Sequence, residues 1–244
     1  MRPVDGSESV SYSGSSVIAS PSTKFVFPRW ANYLLPVLLL AVIGGATYVP
    51  VVVMYGASPI TTDVGYAPQQ PVPFSHALHA GQLGMDCRYC HSTVEKAAFA
   101  AVPPTQTCMN CHVNIKGDSP NLAPVRESYA TGKPVEWKKV HDLPDYAYFN
   151  HSIHVNKGIG CVTCHGRVDK MEVVFQDQPL SMGWCIECHR NPEKHLRPRE
   201  EVTNMTWDAL LATGKTQEVL GLELKKKYNV HDVAYMTSCY TCHR

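Results

Sequence analysis

All ten cysteines of this 244-residue chain fall in C-x-x-C-H motifs, and there are five such motifs. They are Cys87-Arg88-Tyr89-Cys90-His91, Cys108-Met109-Asn110-Cys111-His112, Cys161-Val162-Thr163-Cys164-His165, Cys185-Ile186-Glu187-Cys188-His189 and Cys239-Tyr240-Thr241-Cys242-His243. Two thiols at this spacing share one face of a helical turn, where they can form thioethers to the two vinyl groups of one haem. The histidine that follows is then placed beneath the iron as its proximal ligand. Structural zinc uses paired C-x-x-C arms, and five arms cannot pair evenly. A thioredoxin-like motif occurs once, beside a βαβ pattern, and a disulfide framework scatters its cysteines rather than repeating one unit. The motifs therefore imply five covalently bound c-type haems, with His91, His112, His165, His189 and His243 as proximal ligands.

Of the twelve histidines, His76, His79, His141, His151, His154, His195 and His231 remain. Phe74-Ser75-His76-Ala77-Leu78-His79 precedes the first motif and Phe149-Asn150-His151-Ser152-Ile153-His154 the third, and each leads through a glycine, Gly84 or Gly158, into its C-x-x-C-H. Two histidines three apart share a helix face and cannot bind one iron from opposite sides, so each pair caps two different irons. The repeat reads as a duplicated dihaem unit. F-x-H-x-x-H ahead of C-x-x-C-H resembles the small tetrahaem cytochrome c family. That resemblance implies that His76 belongs to the first haem and His151 to the third, with His79 and His154 capping others. One iron is left, and His141 and Met182 are the candidates for it; His195 and His231 are weaker ones, since histidines beside prolines or in surface turns are commonly solvated.

These residues need elements to position them. Residues 57–244 shared among five haems leave few residues per haem, so the porphyrins must supply most of the core. The expected fold is mainly α with extensive coil and little or no sheet, and eighteen prolines suit stiff, irregular connections. Expected boundaries are a cytoplasmic N-terminal segment (1–29), a transmembrane helix (30–56), a proline-rich linker (57–73) and a haem-packed domain (74–244). The last comprises dihaem modules at 74–112 and 149–189 and a fifth haem at 239–243. A helical period over 206–228 is broken at Gly214. The formal charge of +1 turns negative once the haem propionates are added. Arg88, Arg167, Arg190, Arg197 and Arg199, near the motifs, are candidate partners for those carboxylates.

Residues 31–55 carry no charge and are long enough to cross a bilayer, with Trp30, Tyr33, Tyr48 and Tyr55 toward the ends, where aromatic rings favour the interface. Lys24 and Arg29 precede the run and no basic residue follows it closely, which places the N-terminus in the cytoplasm and the haem domain on the periplasmic side of the inner membrane. The run is too long and starts too late for a cleaved signal peptide. Residues 1–23 are serine-rich and lack the composition for independent order.

Six-coordinate haems exchange single electrons and offer no open site, so a row of five reads as a wire. A multihaem enzyme would need an iron with a free face, often marked by a departure such as C-x-x-C-K, and all five motifs end in histidine. Phe74–His112, with C-R-Y-C-H, and Asp145–Arg190, with C-V-T-C-H-G and L-S-M-G-W-C-I-E-C-H-R, resemble the pentahaem subunit of alternative complex III. The resemblance implies an electron relay within a quinol-oxidising membrane complex. Its partners there would be an iron–sulfur and molybdopterin-like subunit and multi-spanning quinol-binding subunits. The acceptor would be a periplasmic cytochrome c, a copper protein or a terminal oxidase; nothing points to nucleic acid. The second reading is a self-sufficient, membrane-anchored multihaem quinol dehydrogenase.

Overall fold

The computed structural model describes residues 27–56 and 58–243. The serine-rich stretch 1–23 and Lys24, on which much of the expected cytoplasmic segment rests, lie outside the described residues. The chain divides into two compact units, one reaching to Val53 and one from Met54 onward.

In the first unit a 3-10 turn, Arg29–Tyr33, runs into α1 (Leu34–Gly56). The span Arg29–Gly56 has a mean hydropathy of 2.3 and none of it is buried within the protein. At 1.5 Å per residue, the 23 residues of α1 reach roughly 35 Å, enough for a hydrocarbon core of about 30 Å. By length and composition α1 can therefore cross a membrane. Pro50 withholds one amide from its ladder. Just before it, the Thr47 hydroxyl donates to the carbonyls of Ile43 and Gly44 at 3.0 Å.

The second unit is a string of short helices in coil. After a π-helical turn at Ala77–Gln82 come α2 (Cys87–Cys90), α3 (Thr105–His112), α4 (Ala123–Thr131), α5 (His151–Asn156), α6 (Cys161–His165), α7 (Met182–Arg190), α8 (Ala209–Thr213), α9 (Gln217–Lys227), α10 (Val233–Met236) and α11 (Cys239–Cys242). Among the described residues the β structure is one antiparallel bridge, Ile159 to Leu196. This is the mainly helical, coil-rich, sheet-free architecture expected from the sequence. The proline-rich stretch after α1 opens with a 3-10 turn, Pro59–Thr62, and is fastened to the rest of this unit. Gly65 donates to the Gln176 carbonyl at 2.8 Å, and the Gln70 amide pairs with both backbone groups of Lys138 at 2.8 and 2.9 Å.

The apolar core is small and sits away from most of the motifs. Leu196, Ala209, Leu220, Leu224 and Tyr228 are buried together, with Ile159, Trp207 and Val230 packed on them. Gly214, at φ +70°, turns the chain between α8 and α9, at the position where the helical period breaks in the sequence. α9 lies directly on the turn Pro192–Lys194: a Cβ at Gly221 would run into the Glu193 carbonyl. Lys225 reinforces that contact through Glu193 at 3.2 Å. Gly221→Ala should therefore lose about 1–3 kcal/mol by overpacking and lower the Tm by several degrees in thermal unfolding. An unchanged Tm would mean that α9 does not rest on this turn.

Candidate haem centres

Each motif places its two cysteines on a short helix, and two of these helices carry a side-chain cap. Asp86 caps α2 by accepting the Arg88 amide at 2.8 Å, and Ser181 caps α7 by accepting the Trp184 amide at 3.4 Å. None of the ten cysteines is paired in a disulfide, and thiols of different motifs are neighbours. The Cys87 and Cys161 thiols lie beside each other. Burial, with Cys188 and Cys185 beside it, pushes the Cys164 thiol up to about 12.

The two F-x-H-x-x-H segments adopt nearly the same local geometry. Phe74 stacks on His79 at 4.4 Å and meets His76 edge-on at 4.8 Å; Phe149 stacks on His154 at 4.4 Å and meets His151 edge-on at 4.7 Å. In each, the later histidine donates from Nδ1 to the carbonyl four residues back, His79 to Ser75 and His154 to Asn150, both at 2.8 Å. The phenylalanine fixes the plane of the ring and the carbonyl fixes its tautomer, which leaves Nε2 free for a metal. Gly84 (φ +66°) and Gly158 (φ +84°) then turn each segment toward its motif.

The partners of these rings decide what they can do. With metal–nitrogen bonds of about 2.0 Å and about 1.1 Å from ring nitrogen to ring centre, two imidazoles across one metal ion have centroids about 6.2 Å apart. Three pairs stand at this separation: His79 and His112 at 6.1 Å, His151 and His165 at 6.3 Å, and His154 and His189 at 6.1 Å. Each joins a histidine of an F-x-H-x-x-H segment to the last residue of a C-x-x-C-H. Four of the five motif histidines are oriented like the others, with Nδ1 to a carbonyl: His91 to Ala101 at 3.0 Å, His112 to Ile115 at 2.8 Å, His189 to Met236 at 2.9 Å and His243 to Tyr146 at 2.9 Å. His151 likewise bonds the Ala98 carbonyl at 2.8 Å. Thioether thiols on one turn and opposed, tautomer-fixed imidazoles are the donor set a c-type haem requires.

Comparison with known proteins agrees. Residues 57–127 match the class III cytochrome c family. Over 149 residues the chain is 34% identical to the multihaem cytochrome c subunit of a menaquinone reductase from Nitratidesulfovibrio vulgaris strain Hildenborough, with 52% of this chain and 70% of that protein covered. The chain belongs to the multihaem cytochrome c family. Its members carry covalently bound c-type haem and transfer electrons.

In this cytochrome the remaining candidate ligands are less symmetric. His76 has a buried Nδ1 and His141 a buried Nε2, both without a hydrogen-bond partner among the protein atoms. Burial, with His91 and His79 nearby, pushes His76 down to about 4; burial amid four other imidazoles holds His165 at about 3. Both therefore stay in the neutral form that can offer a lone pair. His141 meets His165 edge-on at 4.4 Å, too close for a metal ion between them. Met182 is exposed at the first turn of α7, one turn from Cys185. His195 lines a cavity of about 530 Å³ beside Cys188, and His231 packs on Tyr235 at 4.2 Å.

The arginines separate by what already holds them. Arg88 pairs with Asp86 at 2.9 Å and Glu95 at 3.2 Å, and Arg167 with Asp169 at 2.6 Å. Arg199 lies over the Tyr228 ring at 4.3 Å. Arg197 is different: it is buried, its Nε has no hydrogen-bond partner, and it lines the cavity beside Cys188 with Trp184, Trp207 and Lys194. A buried guanidinium with an unused donor is what a haem propionate would satisfy. A Cβ at Gly160 would collide with that guanidinium. Sequence reasoning placed Arg197 among five candidates and missed the carbonyls that orient the imidazoles, because a backbone acceptor leaves no mark on residue type.

Asp86 ties two parts of the cytochrome together, accepting from Arg88 at 2.8 and 2.9 Å and from the Thr203 hydroxyl at 2.9 Å. Hydrogen bonds from the Arg88 side chain, foremost, hold its carboxyl down at about 2. A depressed carboxylate stabilises the fold above its unfolded value of about 3.9 and loses that contribution as pH falls through the folded value. Asp86→Asn should therefore melt below the parent at neutral pH, with the gap closing between about pH 4 and pH 2. A gap that stays constant over that range would show that the ionised carboxylate contributes nothing.

Proposed function

We propose that this chain holds five c-type haems, one on each C-x-x-C-H motif, and serves as the electron relay of a membrane complex that oxidises quinol. Haem bound there supplies one-electron exchange at iron. The chain's residues attach it, cap it from both sides and keep substrate off the metal. The three imidazole pairs at 6.1–6.3 Å carry this reading, because irons capped on both faces can pass electrons and cannot bind substrate. By the same repeat, His76 caps the first motif's iron opposite His91; His91 is among the charges that depress His76.

The fifth iron goes to Met182 rather than His141. α7 and the α10–α11 segment run side by side in opposite directions: His189 bonds the Met236 carbonyl, while burial, with Cys242 beside it, pushes the Cys185 thiol up. Continued one turn toward the start of α7, that pairing would bring Met182 toward His243. His141 is held against His165 instead. A thioether cap raises the potential of that iron and makes it the end from which electrons leave. Met182→Leu should keep all five haems attached and lower one midpoint potential by on the order of 0.1 V, within the range of about 0.8 V that axial ligands span. A redox titration superimposable on the parent's would remove Met182 from the ligand set.

In this reading α1 anchors the chain in the inner membrane, with its N-terminus in the cytoplasm and the haem domain outside. Quinol gives up two electrons and two protons, while each iron accepts one electron. A single helix without ionisable groups in its apolar run has no means of taking the protons, so multi-spanning quinol-binding subunits and an iron–sulfur, molybdopterin-like subunit complete the complex, as the resemblance to alternative complex III implies. The relative's name, a menaquinone reductase subunit, supports a quinone-linked complex and also names the reverse direction; a high-potential fifth iron favours oxidation. The purified chain should show five haems by pyridine haemochrome assay and be reduced fully by dithionite. Mixed anaerobically with a quinol analogue it should stay oxidised. Rapid reduction by quinol would establish the self-sufficient dehydrogenase, and fewer than five haems would end the five-centre reading.

A further inference from the structure

We infer that the five attachment motifs are threaded in space in the order second, first, third, fourth, fifth, so that the second and fifth motifs form the two ends of the relay. The inference rests on the five-haem reading above and goes beyond it, because motif order along the chain gives no reason for the first motif to lie inside the row.

Each link of that order has its own contacts. The second and first motifs touch where the Asn110 amide donates to the Tyr89 hydroxyl at 3.4 Å, and His79, on the turn leading into the first motif, faces His112 of the second. The third and fourth are joined in the same way, His154 facing His189. The fourth and fifth meet where His189 bonds the Met236 carbonyl at 2.9 Å, just ahead of α11.

The central link, first to third, is the most heavily built. The Cys87 and Cys161 sulfurs lie beside each other. One strand of chain holds both motifs: the Val202 carbonyl accepts the Cys161 amide at 2.9 Å, and the next residue, Thr203, donates to Asp86. The two modules also dock reciprocally. α5 of the second module is held by residues after the first motif, His151 to Ala98 at 3.0 Å, Ser152 to Ala97 at 3.2 Å and Asn156 to Glu95 at 2.8 Å. The histidine turn of the first module is held by residues after the third motif, Ala77 to Met171 at 3.0 Å, with Gly81 so close to Asp169 that a Cβ there would strike its carbonyl. A duplicated unit whose copies clasp each other in this way brings their first motifs together and sends their second motifs outward.

Beyond the second motif, α4 closes that end against α3, with Val125 and Ser128 buried.

The two orders assign different neighbours. In the threaded order the second haem has one neighbour and the first has two; in chain order the first has one and the second has two. His79→Met, in the full-length haem-loaded protein, raises the potential of the second haem so that it is reduced together with the fifth; electron paramagnetic resonance of the three remaining ferric haems, compared with the parent poised with the fifth haem alone reduced, then shows which of them feel the change. One altered signal is expected; two altered signals overturn the threading. His76→Met on the first haem gives the complementary count, two expected and one fatal, so either variant suffices. If neither variant loads its haems, iron–iron distances in the unmodified protein decide the matter: the second-motif iron must have the first-motif iron as its single near neighbour. Five haems with the wrong neighbours would sink the threading and leave the relay intact, whereas fewer than five would sink the relay itself.

Discussion

The structure depends on holding two imidazoles face to face across a gap of about 6 Å with their Nε2 atoms free. Histidine does not do this unaided, because its ring rotates and either nitrogen can carry the proton. Here a backbone carbonyl takes the Nδ1 proton at seven of the nine firmest ligand candidates, His79, His91, His112, His151, His154, His189 and His243. Phenylalanine stacked on His79 and His154 removes the remaining freedom. Several of those carbonyls lie in loops such as Ala97–Ala101 and Tyr146–Tyr148, while Ser75 and Asn150 present theirs at the start of a helical turn.

The same constraint explains why so little apolar core is present. Residues 196–228 supply the one cluster of buried aliphatic and aromatic side chains among the described residues. Around the motifs, order comes instead from caps, carbonyl contacts and the mutual docking of the modules. α9 fits this division of labour: it touches no proposed iron ligand, yet by lying on Glu193 it fixes the segment that carries Arg197 past Gly158 and Gly160. Arg197 spans the two regimes, packed over Trp207 at 5.3 Å on one side and lining the cavity beside Cys188 on the other.

Much of the chemistry was legible in residue types. The proposed thioether and proximal positions come from motif spacing alone, and the duplication of F-x-H-x-x-H is reproduced by ring geometries that agree between copies to about 0.1 Å. The break at Gly214 and the apolar α1 were also readable, since φ > 0 and unbroken hydropathy are local properties. Long-range facts were not. Nothing in the local sequence says that residues after the first motif hold α5, that Thr203 reaches Asp86, or that Gln70 pairs with Lys138 and so fastens a stretch that reads as a linker. Likewise spacing leaves both His141 and Met182 as candidates for the fifth iron.

The claim on which the account stands is that every iron is capped on both faces, which is what separates a relay from an enzyme. Near-infrared magnetic circular dichroism of the oxidised, haem-loaded protein reads axial ligand pairs directly. The account predicts four bis-histidine irons to one histidine–methionine iron, with no high-spin component. A high-spin band would reveal an open iron and contradict it.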